Sequence, residues 1–228
     1  MEESKKALMI GVGLTAGFVV VLILLFSPVI NGQNPINYLD NLYNSISKGS
    51  VYYIPGLKEN AREYEGREID VSVAFMTEQQ AQDLANLYAR TGGEVDIKED
   101  TVRLEGDLGR ILAVALEDSD LMFHNQGAEV AEQYGINERH TMYNWWLTMK
   151  AVDKQLTKEK RFDEAKFVMS VQKRAVECSF NYYQVEPREI STAMFLVIAS
   201  LAFYVIYTLW FGFAIMYVFI GLGLKIGH

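Results

Sequence analysis

Histidine and cysteine are the residues of this chain that could ligate a metal ion or a haem. There are three histidines, His124, His140 and His228, and a single cysteine, Cys178. A metal site needs several such ligands at convergent spacing, c-type haem attachment needs a Cys-x-x-Cys-His sequence, and an iron–sulfur cluster needs several thiolates. None of these patterns is present in the sequence. We therefore predict no metal site and no cofactor.

Two of these side chains have structural roles that would account for them. His124 is expected at the end of a helix, where it would satisfy backbone carbonyls. Cys178 is expected to be a small buried residue, because free cysteine is among the most buried residue types. An intermolecular disulfide through Cys178 is the alternative.

Acidic pairs and glycine-rich stretches are the other patterns that could serve catalysis or phosphate binding. The pairs Asp118 with Asp120 and Asp163 with Glu164 are typical of local surface charge rather than of an acid/base couple. The stretch 106–109 contains two glycines but lacks the Lys-Ser/Thr of a phosphate-binding loop. Between the apolar ends of the chain the net charge is about −9, which disfavours nucleic acid as a partner. We predict no catalytic residue and no nucleotide site.

Two uncharged apolar runs lie at opposite ends of the chain. They extend from Ala7 to Ile30 and from Ile190 to Leu224, and contain no Asp, Glu, Lys, Arg or His. A bilayer core of about 30 Å needs roughly 20 apolar residues in a helix, so each run predicts a transmembrane helix in contact with lipid. The first run exceeds the ~7 to 15 residues of a signal-peptide core, which favours an uncleaved anchor. Pro187 suits the first position of the second helix.

Positive charge beside the two runs predicts the topology. Lys5, Lys6 and Lys225 flank the runs on their outer sides, whereas Arg188 on the loop side lies between two glutamates. Cytoplasmic flanks of transmembrane helices are enriched in Lys and Arg, so both termini are predicted to be cytoplasmic. The chain would then be a two-pass protein of the cytoplasmic (inner) membrane, with its central domain periplasmic or extracellular. The lack of an Asn-x-Ser/Thr acceptor favours a prokaryotic source.

Both predicted spans contain residues that suit helix–helix association. A small-xxx-small pair in the first span would let a second helix approach closely, and glycine that is simply common in membrane helices is the alternative. Polar aromatic residues at mid-membrane depth in the second span are more stable against protein than against lipid. The predicted interface residues are Gly13, Gly17, Tyr204, Tyr207, Trp210 and Gly212. The expected partners are other membrane subunits or a second copy of the chain.

A small α+β layer is predicted over residues 67–135. Apolar and polar residues alternate at its start, as in a half-buried strand. Thr77 and Gln80 form a capping box for a helix. Two short strands are predicted on either side of the turn at 98–101, and Asp107 can cap a second helix. The expected order is β-α-β-β-α, with three strands in the sheet.

A helical hairpin is predicted after this layer. The segment 136–186 contains neither Gly nor Pro and carries two apolar stripes, separated by the charged stretch Thr157 to Arg161. The predicted core residues of the first stripe are Trp145, Trp146 and Met149. Because consecutive residues lie about 100° apart on a helix, one tryptophan should be central and the other at the margin of the stripe.

The predicted fold class is a membrane protein in which two transmembrane helices flank an α+β domain. Residues 31–66 are expected to form a connector with a possible interfacial helix. The other segments are tails at 1–6 and 225–228, transmembrane helices at 7–30 and 187–224, the α+β layer at 67–135 and the helical hairpin at 136–186.

The predicted function follows from the classes of membrane protein that the predicted spans and tails exclude. Spans without ionisable residues disfavour a pump or channel, and tails of a few residues disfavour a receptor with its own output. We predict a non-catalytic accessory or assembly subunit of a larger membrane protein complex, with an extracytoplasmic protein-binding domain. The alternative is a membrane-anchored ligand-binding sensor or solute-capture module that signals through a partner. A membrane-anchored enzyme is the third hypothesis.

Overall fold

The computed structural model describes residues 2–224, so Lys225 and the predicted tail at 225–228 lie outside the described residues. The chain is mostly helical with a three-stranded sheet, and this much of the predicted fold is confirmed. In chain order the elements are α1 Glu2–Phe26, α2 Pro35–Ser50, α3 Ile54–Ala61, β1 Glu68–Ala74, α4 Glu78–Ala89, β2 Glu94–Lys98, β3 Thr101–Asp107, α5 Leu108–Phe123, α6 Gly127–Tyr134, α7 Glu138–Lys158, α8 Phe162–Val171, α9 Cys178–Tyr182 and α10 Ile190–Gly221. A 3₁₀ turn, Arg62–Tyr64, follows α3, and a π-helical segment, Gln172–Glu177, joins α8 to α9.

The chain divides into two compact units. The first, which we call the helical-pair unit, consists of Met1–Gly49 and Glu186–His228, and the second, the sheet unit, consists of Ser50–Val185. In the helical-pair unit α1 packs against α10. Both helices are long and apolar enough to cross a membrane, by length and composition.

The ends of these two helices differ from the predicted ends. Helix α1 begins at Glu2, so it includes most of the predicted tail at 1–6. Helix α10 begins at Ile190, and the prediction that Pro187 occupies its first position is wrong. The backbone N–H of Arg188 donates instead to the carbonyl oxygen of Ser45 in α2 at 3.0 Å, and Glu189 is extended.

The predicted connector at 31–66 is mostly helical. It contains α2 in the helical-pair unit, and α3 with its 3₁₀ turn in the sheet unit. The Tyr43 hydroxyl of α2 lies 2.7 Å from the Ser200 Oγ of α10. This hydrogen bond ties α2 to α10, and an interfacial position for α2 stays a prediction.

The sheet of the second unit is antiparallel in the order β1-β3-β2. Its inward residues on β1, which are Ile69, Val71 and Val73, are buried. The flanking helices are capped as their sequences indicate. The Thr77 hydroxyl accepts a hydrogen bond from the Gln80 N–H at 3.2 Å, and the Asp107 carboxylate accepts one from the Arg110 N–H at 2.8 Å.

The helices of the sheet unit share one apolar core with the sheet. Helices α4 and α5 pack on the sheet, while α7 contacts β1 and packs against both α8 and the π-helical segment. Helix α6, which the sequence pattern did not reveal, lies between α5 and α7 and ends at Gly135 with a φ of 68°. Helix α7 therefore packs against several elements, and one of its faces remains exposed.

Candidate functional site

The contact between α1 and α10 is built around glycines that allow close backbone approach. A Cβ added at Gly11 would lie 2.5 Å from the Val218 N atom, and one at Gly221 would lie 2.6 Å from the Leu8 Cα. Gly11 was not among the predicted interface residues. The spacing of Ala7 and Gly11, both buried, is itself a small-xxx-small pair and could have revealed this contact.

Three of the predicted interface residues meet at the same contact. A Cβ at Gly17 would lie 2.9 Å from the ring of Trp210. The Trp210 Nε1 donates to the Leu14 carbonyl oxygen at 3.1 Å. The Tyr207 hydroxyl donates to the Phe18 carbonyl oxygen at 3.2 Å, and the two rings stack with centroids 4.2 Å apart. The Tyr207 hydroxyl and the Trp210 indole N–H of α10 are thus satisfied by the backbone of α1.

The other three predicted interface residues lie away from this contact. Apart from the neighbouring backbone of its own helix, no part of the described chain comes within 4 Å of the position that a Cβ would take at Gly13 or at Gly212. Tyr204 is 67% exposed. A contact through these residues would need another chain, and it stays a prediction.

An open groove of about 300 Å³ lies on the sheet unit between α7 and the segment that follows α8. We call it the aromatic groove. Helix α7 supplies one wall, and the other wall comes from the π-helical segment and α9. Its lining residues are Met142, Tyr143, Trp146, Val176, Glu177, Phe180 and Asn181.

The two adjacent tryptophans of α7 divide between the core and this groove. Trp145 is fully buried, and Trp146 is half-buried in the groove wall. The separation of about 100° between consecutive helical residues accounts for this difference. Met149 is also fully buried, one helical turn beyond Trp145. The sequence pattern did not indicate that the marginal tryptophan would line a groove.

The ring of Trp146 is held by polar and aromatic neighbours. Its Nε1 donates to the Glu177 Oε1 at 2.7 Å. The ring of Tyr143 stacks with it at a centroid distance of 6.1 Å, and the Lys150 Nζ lies 4.9 Å from its centroid. These contacts preorganise the groove wall, which reduces the entropy that a bound partner would cost.

The π-helical segment sets the position of Val176 and Glu177 in the opposite wall. A π turn inserts one residue into a helix, which rotates the following residues by about 100° relative to a regular helix. Single π turns occur frequently at functional sites. The position of Glu177, the one carboxylate of the groove lining, therefore depends on this local departure from α-helical geometry.

Arg139, which is not a lining residue of the groove, stacks on two aromatic rings, that of Phe180 in α9 and that of Tyr183 directly after α9. The Arg139 guanidinium lies 5.3 Å from the Phe180 ring centroid and 5.2 Å from the Tyr183 ring centroid. Burial, followed by the nearby Glu138 carboxylate, raises the pKa of Tyr183. The phenol is therefore neutral at ordinary pH, and this end of the groove carries a cation.

A buried carboxylate lies behind the groove wall. Asp118 of α5 is 1% exposed, and its Oδ2 accepts hydrogen bonds from the Tyr134 hydroxyl at 2.5 Å and from the Trp145 Nε1 at 2.7 Å. Burial raises the pKa of this carboxyl, against the two hydrogen bonds. The prediction of surface charge is therefore wrong for Asp118. Its neighbour Asp120 is two residues away, on the far side of the helix.

Asp120 belongs to a separate polar cluster at the end of α5. Its carboxylate accepts hydrogen bonds from the Lys58 Nζ at 2.5 Å and the Tyr52 hydroxyl at 2.7 Å. Burial acts to raise the pKa of Asp120, but these two bonds outweigh it and hold the pKa below its usual range. Burial, with the hydrogen bond to Asp120, raises the pKa of Tyr52 to about 12. The His124 Nδ1 lies 2.9 Å from the Asp120 carbonyl oxygen, which is the helix-end contact expected for it.

Of the residues considered as metal ligands, His228 lies outside the described residues. Over residues 2–224, no group of three His, Cys, Asp or Glu side chains could hold a metal ion. Cys178 is half-buried, with its Sγ 3.8 Å from the Val51 carbonyl oxygen. No protein-family model, curated protein or solved structure matches this chain.

Proposed function

We propose that this chain is a non-catalytic accessory or assembly subunit of a larger membrane protein complex. Helices α1 and α10 anchor it in the cytoplasmic membrane, and the sheet unit binds a partner protein in the periplasm or outside the cell. The observation that carries this proposal is the aromatic groove, in which half-exposed Tyr143, Trp146 and Phe180 surround one carboxylate and one amide.

The chemistry of the groove suits a polypeptide partner. Tyrosine and tryptophan dominate the binding energy of protein interfaces, and here both rings are held before any partner arrives. Glu177 is the charged residue of the lining and Asn181 can donate and accept hydrogen bonds. The fitting occupant is a partner segment that inserts an apolar side chain and places a Lys or Arg beside Glu177.

The outer surfaces of α1 and α10 support assembly within the membrane. Gly13 and Gly212 meet no other part of the described chain, so a helix of another subunit could approach either backbone closely. Tyr204 is exposed near the middle of α10, where a polar hydroxyl is more stable against protein than against lipid.

The proposed topology rests on Lys5 and Lys6, both exposed near the start of α1. In a Cys178→Ala background, a Glu132→Cys thiol on the exposed face of α6 should react with a membrane-impermeant maleimide in intact cells. A Glu2→Cys thiol should react only after the membrane is permeabilised. The opposite pattern would place the sheet unit in the cytoplasm.

Native electrophoresis after mild detergent extraction tests the proposed assembly. The wild-type chain should migrate well above its own 25.9 kDa, in a band that contains other polypeptides. Trp146→Ala should weaken this band because it removes the central ring of the groove. Phe162→Ala is the matched control, since Phe162 is 60% exposed outside the groove. A chain that runs alone in all three cases would contradict the proposal.

A small-molecule sensor is the second candidate function, and the groove volume favours it. About 300 Å³ lies at the lower end of the range for small-molecule sites. A cognate ligand at a hundredfold excess over its dissociation constant would stabilise the chain by about 2.7 kcal/mol. A chain that runs alone after extraction and gains this stability with a metabolite would replace the first proposal with the second.

A further inference from the structure

The outer edge of β2 is open. β2 is the last strand of the sheet, and over residues 2–224 no other strand pairs with its outer side. At the opposite edge of the sheet, Arg161 donates to the Glu68 carbonyl oxygen of β1 at 3.0 Å. An uncovered edge presents a row of N–H and C=O groups that can pair with another strand.

The register of the hairpin determines which backbone groups point outward. A two-residue turn makes Lys98 and Thr101 the hydrogen-bonded pair that closes the β2–β3 hairpin. Hydrogen-bonded and non-hydrogen-bonded pairs alternate along an antiparallel ladder. The N–H and C=O groups of Val95 and Ile97 therefore point away from β3, toward the open edge.

Three of the usual protections of an edge strand are missing from β2. Natural sheets protect their edges with short strands, charged side chains, proline, bulges or inward-pointing charges. β2 is short and carries Glu94, Asp96 and Lys98, but it lacks the other three. β2 pairs with β3 through five consecutive residues without a bulge, and it contains no proline. Its inward positions are Val95 and Ile97, and Ile97 is 46% exposed.

The sequence of β2 is complementary to itself in antiparallel orientation. If two copies pair symmetrically about Asp96, Glu94 of each strand lies opposite Lys98 of the other, and Val95 lies opposite Ile97. Opposite charges and apolar residues in directly facing positions both stabilise an antiparallel pair. The outward groups of Val95 and Ile97 also face each other in this register, so they can form four backbone hydrogen bonds.

The two Asp96 residues face each other at the centre of this pairing, where like charges oppose association. Arg103, opposite Asp96 across β2–β3, makes its ion pairs with Asp70 and Glu105. The Lys98 Nζ of the same strand lies 3.2 Å from the Asp96 carboxylate. A parallel, in-register arrangement would place like charges opposite each other at Glu94, Asp96 and Lys98. In the antiparallel register about Asp96, four of the five residues of β2 face an oppositely charged or apolar residue, and only Asp96 faces a like charge.

We propose that two copies of this chain associate through β2, so that their sheets join into one six-stranded antiparallel sheet across a two-fold axis. A second copy presents the same edge, so the contact is closed and no further chain can add to it. The interface is small. Confinement of both copies to one membrane would supply the high local concentration that such a contact needs.

Disulfide trapping in native membranes tests this register in the full-length chain. In a Cys178→Ala background, Asp96→Cys should give a dimer on oxidation with copper phenanthroline. Facing residues of a non-hydrogen-bonded pair have Cα atoms about 4.5 Å apart, within the range of a disulfide. Glu94→Cys alone and Lys98→Cys alone are the matched controls, because each would lie about 13 Å from its own copy. Co-expression of these two variants should restore the dimer.

A backbone substitution tests the pairing in a second way. Val95→Pro in the Asp96→Cys chain removes an N–H that points outward, so it should abolish the trapped dimer while β2 stays paired with β3. Val95→Thr keeps the N–H and should keep the dimer. Circular dichroism of both purified variants checks that each is folded. The proposal is overturned if Asp96→Cys stays monomeric or is trapped with a different protein, or if the single controls dimerise equally well.

Discussion

In both units of this protein a tryptophan and a tyrosine donate hydrogen bonds, but the acceptors differ between the units. In the helical-pair unit, Trp210 and Tyr207 donate to backbone carbonyl oxygens of α1. In the sheet unit, Trp145 and Tyr134 both donate to the carboxylate of Asp118. A buried indole or phenol needs a hydrogen-bond partner in either environment.

The difference follows from the cost of a buried charge. A buried charge without a partner is costly, and the apolar runs 7–30 and 190–224 contain no Asp or Glu that could accept these bonds. Glycines let α1 and α10 approach so closely that backbone carbonyls serve instead. The core of the sheet unit accommodates a carboxylate because two donors face it, although burial still raises its pKa. The comparison can be tested by removing the donors, the acceptor and the glycines in turn.

The largest effect is expected from removing the buried donor of the sheet unit. Trp145→Ala should lower the free energy of unfolding by about 3 to 5 kcal/mol, because it opens a cavity in the core and removes one partner of Asp118. Trp146→Ala is the matched control and should cost less, since Trp146 is only half-buried. Chemical unfolding of the full chain in mild detergent, followed by circular dichroism, measures both. Equal losses would mean that the roles of the two tryptophans are assigned incorrectly.

A smaller effect is expected from removing the acceptor. Asp118→Ala leaves the Tyr134 hydroxyl and the Trp145 Nε1 without their partner, which should cost about 2 to 4 kcal/mol in total. Asp118→Asn keeps an oxygen in the same place and avoids the burial of a charge, so its stability at pH 7 should equal or exceed that of the wild type. If Asp118→Asn and Asp118→Ala lower the stability equally, Asp118 is not the shared acceptor of the hydrogen bonds from Tyr134 and Trp145.

The comparison of the wild type with Asp118→Asn also predicts how the stability depends on pH. Burial raises the pKa of Asp118 above its ordinary value of 3.8, so on titration the unfolded chain loses this proton at a lower pH than the folded chain. The wild type should therefore lose stability relative to Asp118→Asn as pH rises from about 3.8 through the raised pKa, and the difference should be constant below and above this window. Urea unfolding of both chains at a series of pH values measures it, and a difference that does not change with pH would contradict the assignment.

The smallest effect is expected in the helical-pair unit. Gly11→Leu should separate α1 from α10 at their closest backbone contact and cost about 1 to 3 kcal/mol, because the side chain would collide with the backbone near Val218. Gly13→Leu adds the same side chain two residues away, where no part of α10 lies within 4 Å of the added Cβ, and should leave the pair intact. Resistance to unfolding by sodium dodecyl sulfate, followed by circular dichroism, compares the two. Equal losses would place the contact elsewhere on α1.

Elements with a local chemical cause could be predicted from the sequence. The caps at Thr77 and Asp107 depend on side chains next to the helix ends that they satisfy, and the hairpin depends on the two short strands beside its turn. The division between Trp145 and Trp146 depends only on helical geometry. The two long apolar helices could also be predicted, because length and composition alone identify a helix that could cross a membrane.

Features that depend on three-dimensional packing could not be predicted. The burial of Asp118 depends on donors that approach from α6 and α7, which nothing in the local sequence reveals. The π-helical segment Gln172–Glu177 has no Gly or Pro to mark it, so the wall of the groove that holds Glu177 was not foreseen. In the helical-pair unit, several glycines offered similar small-residue patterns, and only the packing of α10 selects Gly11 over Gly13.

Photocrosslinking from the aromatic groove tests the proposed function most directly. A p-benzoylphenylalanine at the position of Tyr143, which is 46% exposed at the groove, should form an adduct with another polypeptide when native membranes are irradiated. The same photoreactive residue at the position of Phe162, outside the groove, should form none. Mass spectrometry of the adduct identifies the partner and the crosslinked segment, which should carry a Lys or Arg beside an apolar residue. An adduct that forms equally from both positions, or no polypeptide adduct from the Tyr143 position, would contradict the proposal that this groove binds a protein partner.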